Sequence, residues 1–360
     1  MADNDRRNEP NYAVSPGDIL EEYLDSYGMS QKELSDRIDI SYKHINEIVK
    51  GKAPITPDTA LKLERVFNRP AHFWGNLEMQ YQQDKARLTE IERLKSHLKW
   101  LGNVPVKEMA KFGWIKKHNG ASNQLDEILK FFGVSSPDQW RIVWERHQVA
   151  YRQSERFETS AVAVSAWLRK GELEATQIPC TTYDSKKFQI ALSECRNLTF
   201  ESPEVFVPAL RQKCAQSGVA VVFIPELPKT GVSGATRWIG DKAIIQLSLR
   251  YKTNDQLWFT FFHEAGHILR HGRKDIFIES NNADSEQEKE ADVFARDFLV
   301  PKQQYDKFLN SEKRTIGSIQ QFAKEIGIAP GIVVGRLQHD HILPFKHGNH
   351  LKHKLQWVER

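Results

Sequence analysis

A mainly α fold with a small β component (α+β) is the class this chain predicts, and three features of the sequence predict it. Residues 15–70 carry helical periodicity, punctuated by caps and stops into four short helices. At Gly218 the apolar period changes to strand-like runs. A long apolar helix without breakers follows them, and it carries His263-Glu264-Ala265-Gly266-His267.

Bulk properties set the bounds. At 360 residues the chain is too long for one small core, and two to three domains are expected. Nine Trp and nineteen Phe argue against wholesale disorder, because disordered chains are poor in aromatics. The net charge of +4 permits nucleic-acid binding without demanding it. Cys180, Cys195 and Cys214 form no Cys-x-x-Cys pair, so neither a disulfide framework nor a thiolate zinc site is indicated. No apolar run is long enough for a membrane span, and the polar start lacks the apolar core of a secretory signal. Reduced thiols in a cytoplasmic protein are the expectation.

Each element has a local reason. Ser15-Pro16-Gly17-Asp18 combines a cap, a first-turn proline and an acid near the positive helix end. Ile19, Leu20, Tyr23, Leu24 and Tyr27 make its apolar stripe, and Gly28 stops it. Ser30-Gln31-Lys32-Glu33 opens a second helix, and the turn Asp39-Ile40-Ser41 leads to a third, in which Ile45, Ile48 and Val49 face inward. Thr56-Pro57 opens a fourth, ended by Pro70. Residues 75–118 are charged and helical, the pattern of a solvated connecting helix. Helical periodicity persists over 122–215, with Trp140, Trp144 and Trp167 expected in the core. Strands are expected at 219–225, 234–239 and 243–249, in a small antiparallel sheet. Helices follow over 254–270, 286–300 and 316–337, with a polar loop over 273–285.

The His-Glu-x-x-His motif has a mechanical meaning. Side chains four apart on a helix share one face, roughly 6 Å apart, so His263 and His267 can bind one ion. Glu264 lies beside that ion, where it can take a proton from a water whose pKa zinc lowers to about 7. Two surface histidines on a polar helix would be the plain alternative. The preceding Leu257, Trp258, Phe259, Phe261 and Phe262 speak against it, because they bury the pair. A catalytic Zn2+ needs a third protein ligand. Glu288 is the favoured candidate, with Asp292 holding an imidazole N–H from the outer shell. Glu290 competes, and it points about 200° around the helix from Glu288, so both cannot serve. His271 lies about 12 Å along the axis from His263, too far to share the ion, and is expected to cap the helix or face a substrate.

Residues 205–345 resemble the ImmA/IrrE family of bacterial zinc metallopeptidases, through FTFFHEAGHILRH and EKEADVFARDFLVP. Asp292 stands where the family's Glu-x-x-Ala-Asn-x-Phe-Ala pattern has Asn, and an acid preserves the hydrogen-bond acceptor. The resemblance implies a site-specific endopeptidase acting on a regulatory protein, often a repressor. Such an enzyme can pair an exposed strand with the substrate backbone, and 234–249 is the candidate edge.

The third helix of the N-terminal module would enter the DNA major groove. Lys43 and Asn46 can bond base edges, while Ser41, Tyr42 and His44 can contact base or phosphate. Gln31 can bond a phosphate from the preceding helix start, and Lys50 and Lys52 add backbone attraction. Residues 12–85 resemble a HigA-type antitoxin of the XRE-like helix-turn-helix family, through GMSQKELSDRIDISYKHINEIVKGKAPITPDTALKLERVF and the following Phe73-Trp74. That resemblance implies autoregulatory binding of double-stranded DNA, as a homodimer at a palindromic operator. The expected partition is a flexible tail (1–10), a helix-turn-helix domain (11–74), a helical connector (75–204), a metallopeptidase-type domain (205–345) and a basic tail (346–360). Expected protein partners are a substrate, a repressor or a cognate toxin. The competing reading is a non-catalytic antitoxin or repressor whose C-terminal domain only senses or binds a partner.

Overall fold

The computed structural model describes residues 12–144, 161–272, 277–279, 285–310 and 315–357. The expected tail over 1–10 lies outside these residues. The chain divides into two compact units, one ending at Leu98 and the other beginning at Lys99.

The first unit contains α1 (Pro16–Ser26), α2 (Gln31–Ile38), α3 (Tyr42–Val49), α4 (Pro57–Phe67) and α5 (Ala71–Lys95). The side chains of Ser15, Ser30, Ser41 and Thr56 each accept a backbone N–H at a helix start, as the cap pattern predicts. Asp39 ends α2 in the left-handed region (φ 52°), and the Ser35 hydroxyl donates to the Ile40 carbonyl at 2.6 Å. These two features set the turn between α2 and α3. Leu20, Leu34, Ile45, Ile48, Leu63, Phe67 and Trp74 form the core. Beyond Trp74, Leu94 is the other buried residue of α5, which suits the charged sequence of that helix.

The short α6 (Leu98–Leu101) spans the junction in sequence. The second unit continues with α7 (Val106–Lys111), α8 (Ala121–Phe132), α9 (Pro137–Trp144), α10 (Ala161–Thr176), α11 (Ser185–Arg196) and α12 (Pro203–Ala215). Next come β1 (Val219–Phe223), β2 (Gly234–Ile239), β3 (Lys242–Leu247), α13 (Asn254–Arg270), β4 (Phe277–Glu279) and α14 (Glu286–Leu299). It closes with α15 (Lys302–Leu309), α16 (Ile316–Ile326) and α17 (Pro330–His339). Residues 75–204, expected as a connector, include most of α5 in the first unit, α6, and the helices α7 to α11 of the second.

The sheet order is β1-β3-β2-β4. β2 runs antiparallel to β3 and β4, but β1 runs parallel to β3, with Val219 opposite Ala243. The sheet is therefore mixed, not antiparallel. The reason is visible in its burial. Val219, Val221, Ala243 and Ile245 pack into the core shared with α11, α12 and α13. Ala220, Val222, Ala235 and Ile244 pack on the opposite face with Ala163 and Trp167 of α10. Strands covered on both faces read as continuous apolar runs, and parallel pairing goes with such cover. β3 is interior and β2 is paired on its outer side over Gly234–Thr236, so 234–249 is not a free edge. Among the described residues the edge strands are β1 and β4.

Polar ties fix α10 to the sheet. The Trp167 indole donates to the Ile224 carbonyl at 3.1 Å, and the Gln246 amide donates to the Trp167 carbonyl at 2.7 Å. Buried Arg237 donates to the Leu168 carbonyl at 2.6 Å and stands 3.3 Å from Glu172. The basic tail expected over 346–360 is partly docked. His347, His350 and His353 are exposed, yet Leu351 and Leu355 enter the core and Lys352 pairs with buried Asp255 at 2.6 Å. Two apolar residues and one matched charge suffice to dock the segment. No helix among the described residues is long and apolar enough to cross a membrane.

Trp167 is fully buried and joins helix to sheet, so Trp167→Ala should destabilise the second unit by about 3–5 kcal/mol in denaturant titration. A loss below about 1 kcal/mol would show that this contact does not hold α10 in place.

Candidate metal centre and DNA-reading face

α13 begins after an extended Thr253 and is buried on nearly every side from Asn254 to Ile268. A helix that is apolar all round can only sit inside a core. The polar residues that carry the motif are buried with it: His263 and His267 are 2% exposed and Glu264 is 0%. α14 starts from Ser285, whose hydroxyl accepts the Glu288 N–H at 3.2 Å. Glu288 thus sits in the first turn, where the helix dipole favours a carboxylate.

α13 and α14 approach closely at Gly266. A Cβ there would stand 3.1 Å from Phe294 Cδ1 and 3.3 Å from the Ala291 Cα. This spacing carries Glu288 to the histidines. His263 Nε2 lies 3.0 Å from both His267 Nε2 and Glu288 Oε2, and His267 Nε2 lies 3.5 Å from Glu288 Oε1. One donor atom from each of the three residues falls within 4.8 Å of the others. His263 Nδ1 meets Asp292 Oδ1 at 2.9 Å. A carboxylate only accepts, so with an ion at Nε2 the His263 Nδ1–H would donate to Asp292.

Electrostatics agree with the geometry. Burial, above all, pushes the His267 pKa down to about 4, so the ring is neutral at pH 7. Burial also opposes ionisation of Glu288, but hydrogen bonds with His263 and His267 outweigh it and hold the carboxyl at about 2. Two imidazoles and an ionised carboxylate converging in a buried cluster form a donor set that fits a divalent cation. Glu264 is fixed beside them by the sheet. The Thr236 hydroxyl donates to the Glu264 carbonyl at 3.0 Å, and a Cβ on Gly234 would stand 2.6 Å from Glu264 Oε1. A side chain at 234 would have to displace Glu264.

Glu290 is not in the cluster. It meets His271 Nε2 at 3.2 Å, while His271 Nδ1 meets His267 Nδ1 at 2.9 Å. The His271 backbone N–H also donates to the His267 carbonyl at 3.0 Å, so this residue ends α13 as expected. Sequence reasoning missed its side-chain partner, and it missed Phe277 on β4. The Phe277 ring stacks on His267 with centroids 4.0 Å apart and an interplanar angle of 15°. Three consecutive apolar residues, Ile276-Phe277-Ile278, inside a polar stretch carry no alternation to announce a strand.

In the first unit Ile45, Ile48 and Val49 turn α3 inward, leaving Tyr42 and Lys43 exposed. The Asn46 amide donates to Gln31 Oε1 at 3.1 Å, joining the start of α2 to the middle of α3. Ser41 accepts the His44 N–H at 3.3 Å as a cap, and the His44 ring stands 3.8 Å from Glu47. Lys50 and Lys52 are exposed just beyond α3.

Fold and sites define a helix-turn-helix protein joined to a domain of metallopeptidase type. Residues 20–74 match the helix-turn-helix family, and residues 214–338 match the IrrE N-terminal-like domain. The N-terminal part is 41% identical over 85 residues to virulence-associated protein I of Dichelobacter nodosus, covering 22% of this chain and 79% of that protein. It is 32% identical over 81 residues to the uncharacterized HTH-type transcriptional regulator YddM of Escherichia coli K12, covering 22% and 86%. Among solved structures, the Pseudomonas aeruginosa antitoxin HigA with the higBA promoter is 29% identical, with 24% of this chain and 94% of that chain covered and a TM-score of 0.22. A HigA-family addiction module antidote protein from Coxiella burnetii is 30% identical, with 23% and 92% covered and a TM-score of 0.22. The chain belongs to the DNA-binding helix-turn-helix regulators and carries an IrrE N-terminal-like domain.

The zinc-free protein should lose stability in acid. Folded His267 stays neutral down to about pH 4, whereas the unfolded chain takes the proton near 6.5. The unfolded state therefore binds more protons between those values, and stability falls by about 3 kcal/mol as pH falls through that window. Glu288 adds a further loss between pH 4.5 and about 2, since its folded pKa is depressed. Urea titrations at pH 7 and pH 5 check this, and equal midpoints would refute it.

Proposed function

We propose that this protein is a DNA-binding regulator with a zinc-dependent endopeptidase site, whose substrate is a regulatory protein such as a repressor or a partner toxin. The observation that carries the proposal is the convergence of His263 Nε2, His267 Nε2 and the Glu288 carboxylate. Donors about 2.1 Å from one tetrahedral ion stand about 3.4 Å from each other. The Nε2–Nε2 separation of 3.0 Å and the 3.0 and 3.5 Å from these atoms to the two Glu288 oxygens are of that size. Two imidazoles and one carboxylate are the ligand set of catalytic zinc sites with one open position. When bound, zinc supplies a Lewis acid that acidifies water and polarises a peptide carbonyl.

The chain's own residues do the rest. His263, His267 and Glu288 hold the ion, and Glu288 offsets half of its charge. Asp292 holds the His263 proton at Nδ1, which keeps Nε2 free to coordinate. Glu264, held against Gly234, takes a proton as general base and returns it to the leaving amine. Phe277 covers the His267 ring and keeps water from its outer face.

On the DNA side, α3 enters the major groove. Lys43 and Asn46 read base edges, and the Asn46–Gln31 contact orients both amides before binding. Ser41, Tyr42, His44, Lys50 and Lys52 complete the phosphate and base contacts, and a homodimer would read a palindrome.

Purified protein should hold one zinc per chain. Glu264→Gln should keep the metal yet lower cleavage of the substrate about 10²–10⁴-fold. Absence of stoichiometric zinc from the wild type, or full cleavage by Glu264→Gln, would leave only a partner-binding role for this domain. Asn46→Ala should weaken binding to the chain's own promoter by about 1–3 kcal/mol in a gel-shift titration and relax selectivity at one base pair. An unchanged shift would remove α3 from the groove.

A further inference from the structure

We propose that His271 and Glu290 are positioning residues that set the tautomer of His267, presenting its Nε2 lone pair to the ion. The inference rests on the metal-site reading above and deepens it. The two histidines of the motif are supported differently. His263 Nδ1 has a carboxylate partner, Asp292. His267 Nδ1 instead meets another ring nitrogen, His271 Nδ1, at 2.9 Å.

Hydrogen-bond bookkeeping gives the direction. His271 Nε2 stands 3.2 Å from Glu290 Oε2, and an ionised carboxylate only accepts, so Nε2 of His271 carries the proton. With an ion held at His267 Nε2, the His267 proton sits on Nδ1, and Nδ1 of His271 is then the acceptor. His267 Nδ1–H donates to it, and the His267 Nε2 lone pair is left facing His263 and Glu288. The chain of bonds runs His267 to His271 to Glu290, all in one sense.

Water cannot substitute for His271. His267 is 2% exposed, and Phe277 lies flat against its ring. The His271 side chain is itself only 5% exposed. Without the Nδ1 acceptor, the opposite tautomer would place a proton on His267 Nε2, where Glu288 Oε1 waits at 3.5 Å. That arrangement satisfies the ring but removes the lone pair needed for coordination. Glu290 reaches His271 from α14, two residues after Glu288, so one helix supplies a ligand and the anchor of another ligand's support.

The test compares wild type with His271→Leu, His271→Gln and Glu290→Leu. Zinc affinity is read by competition with a chromophoric chelator, and the His267 tautomer by nitrogen-proton NMR of the metal-free protein. His271→Leu should weaken zinc binding about 10–100-fold and move the His267 proton from Nδ1 to Nε2. His271→Gln should recover most of both, because its amide oxygen can accept from Nδ1–H. Glu290→Leu changes a half-exposed side chain and should fold regardless, with a smaller loss in the same direction. Wild-type affinity and an unchanged tautomer in both leucine variants would overturn the inference while leaving the metal site intact. If the wild type takes up no zinc, the metal reading fails, and the tautomer shift still decides whether His271 controls His267.

Discussion

The close approach of α13 and α14 is the constraint on which the rest of the site depends. Glu288 has a short reach, and it meets both imidazoles only because Gly266 lets the helices come together against Phe294 and Ala291. A carboxylate in a nearly dry core is costly unless matched. Here the cost is offset three ways: by the imidazoles, by the positive end of α14, and by the Ser285 cap that orders that end. Any widening of the interface would leave Glu288 buried without these partners, so packing and electrostatics act as one condition.

The sheet supplies the second coordinate. α13 can slide or rotate on an apolar surface, but Thr236 holds its backbone at Glu264, and Gly234 leaves room for the Glu264 side chain alone. β2 is in turn held by β3 on one side and β4 on the other, while α10 locks the opposite face through Trp167 and Arg237. Scaffold residues far from the histidines thereby determine where a general base would stand. The same strand pairing brings Phe277 over His267, so one short edge strand closes the wall of the pocket.

Much of this was legible in the residues. Ser15, Ser30, Ser41, Thr56 and Ser285 announce helix starts because capping is a contact over two or three residues. His263 and His267 announce a shared face for the same reason, since a helical turn is a local repeat. The continuous apolar run at 219–224 also held the clue to a sheet covered on both faces, although the glycines and prolines between the runs suggested antiparallel pairing. β4 was not legible, because three residues carry no period, and neither was the docking of Leu351 and Leu355, which depends on a surface built elsewhere.

The sequence by itself determined the helices, the motif, the outward polar face of α3 and the identity of the acids able to reach the histidines. Those properties follow from bonds and periodicities within one element. Tertiary structure alone decided that Glu290 serves His271, that β1 pairs with β3 in parallel, and that a third histidine turns back on the second. At His271 the backbone leaves the helix with ψ of 165°, and the direction of its ring is set by α14 and β4 rather than by its neighbours in the chain. Contacts between elements distant in sequence leave no periodic trace, and they are what distinguishes two histidines on a helix from a site that can hold an ion.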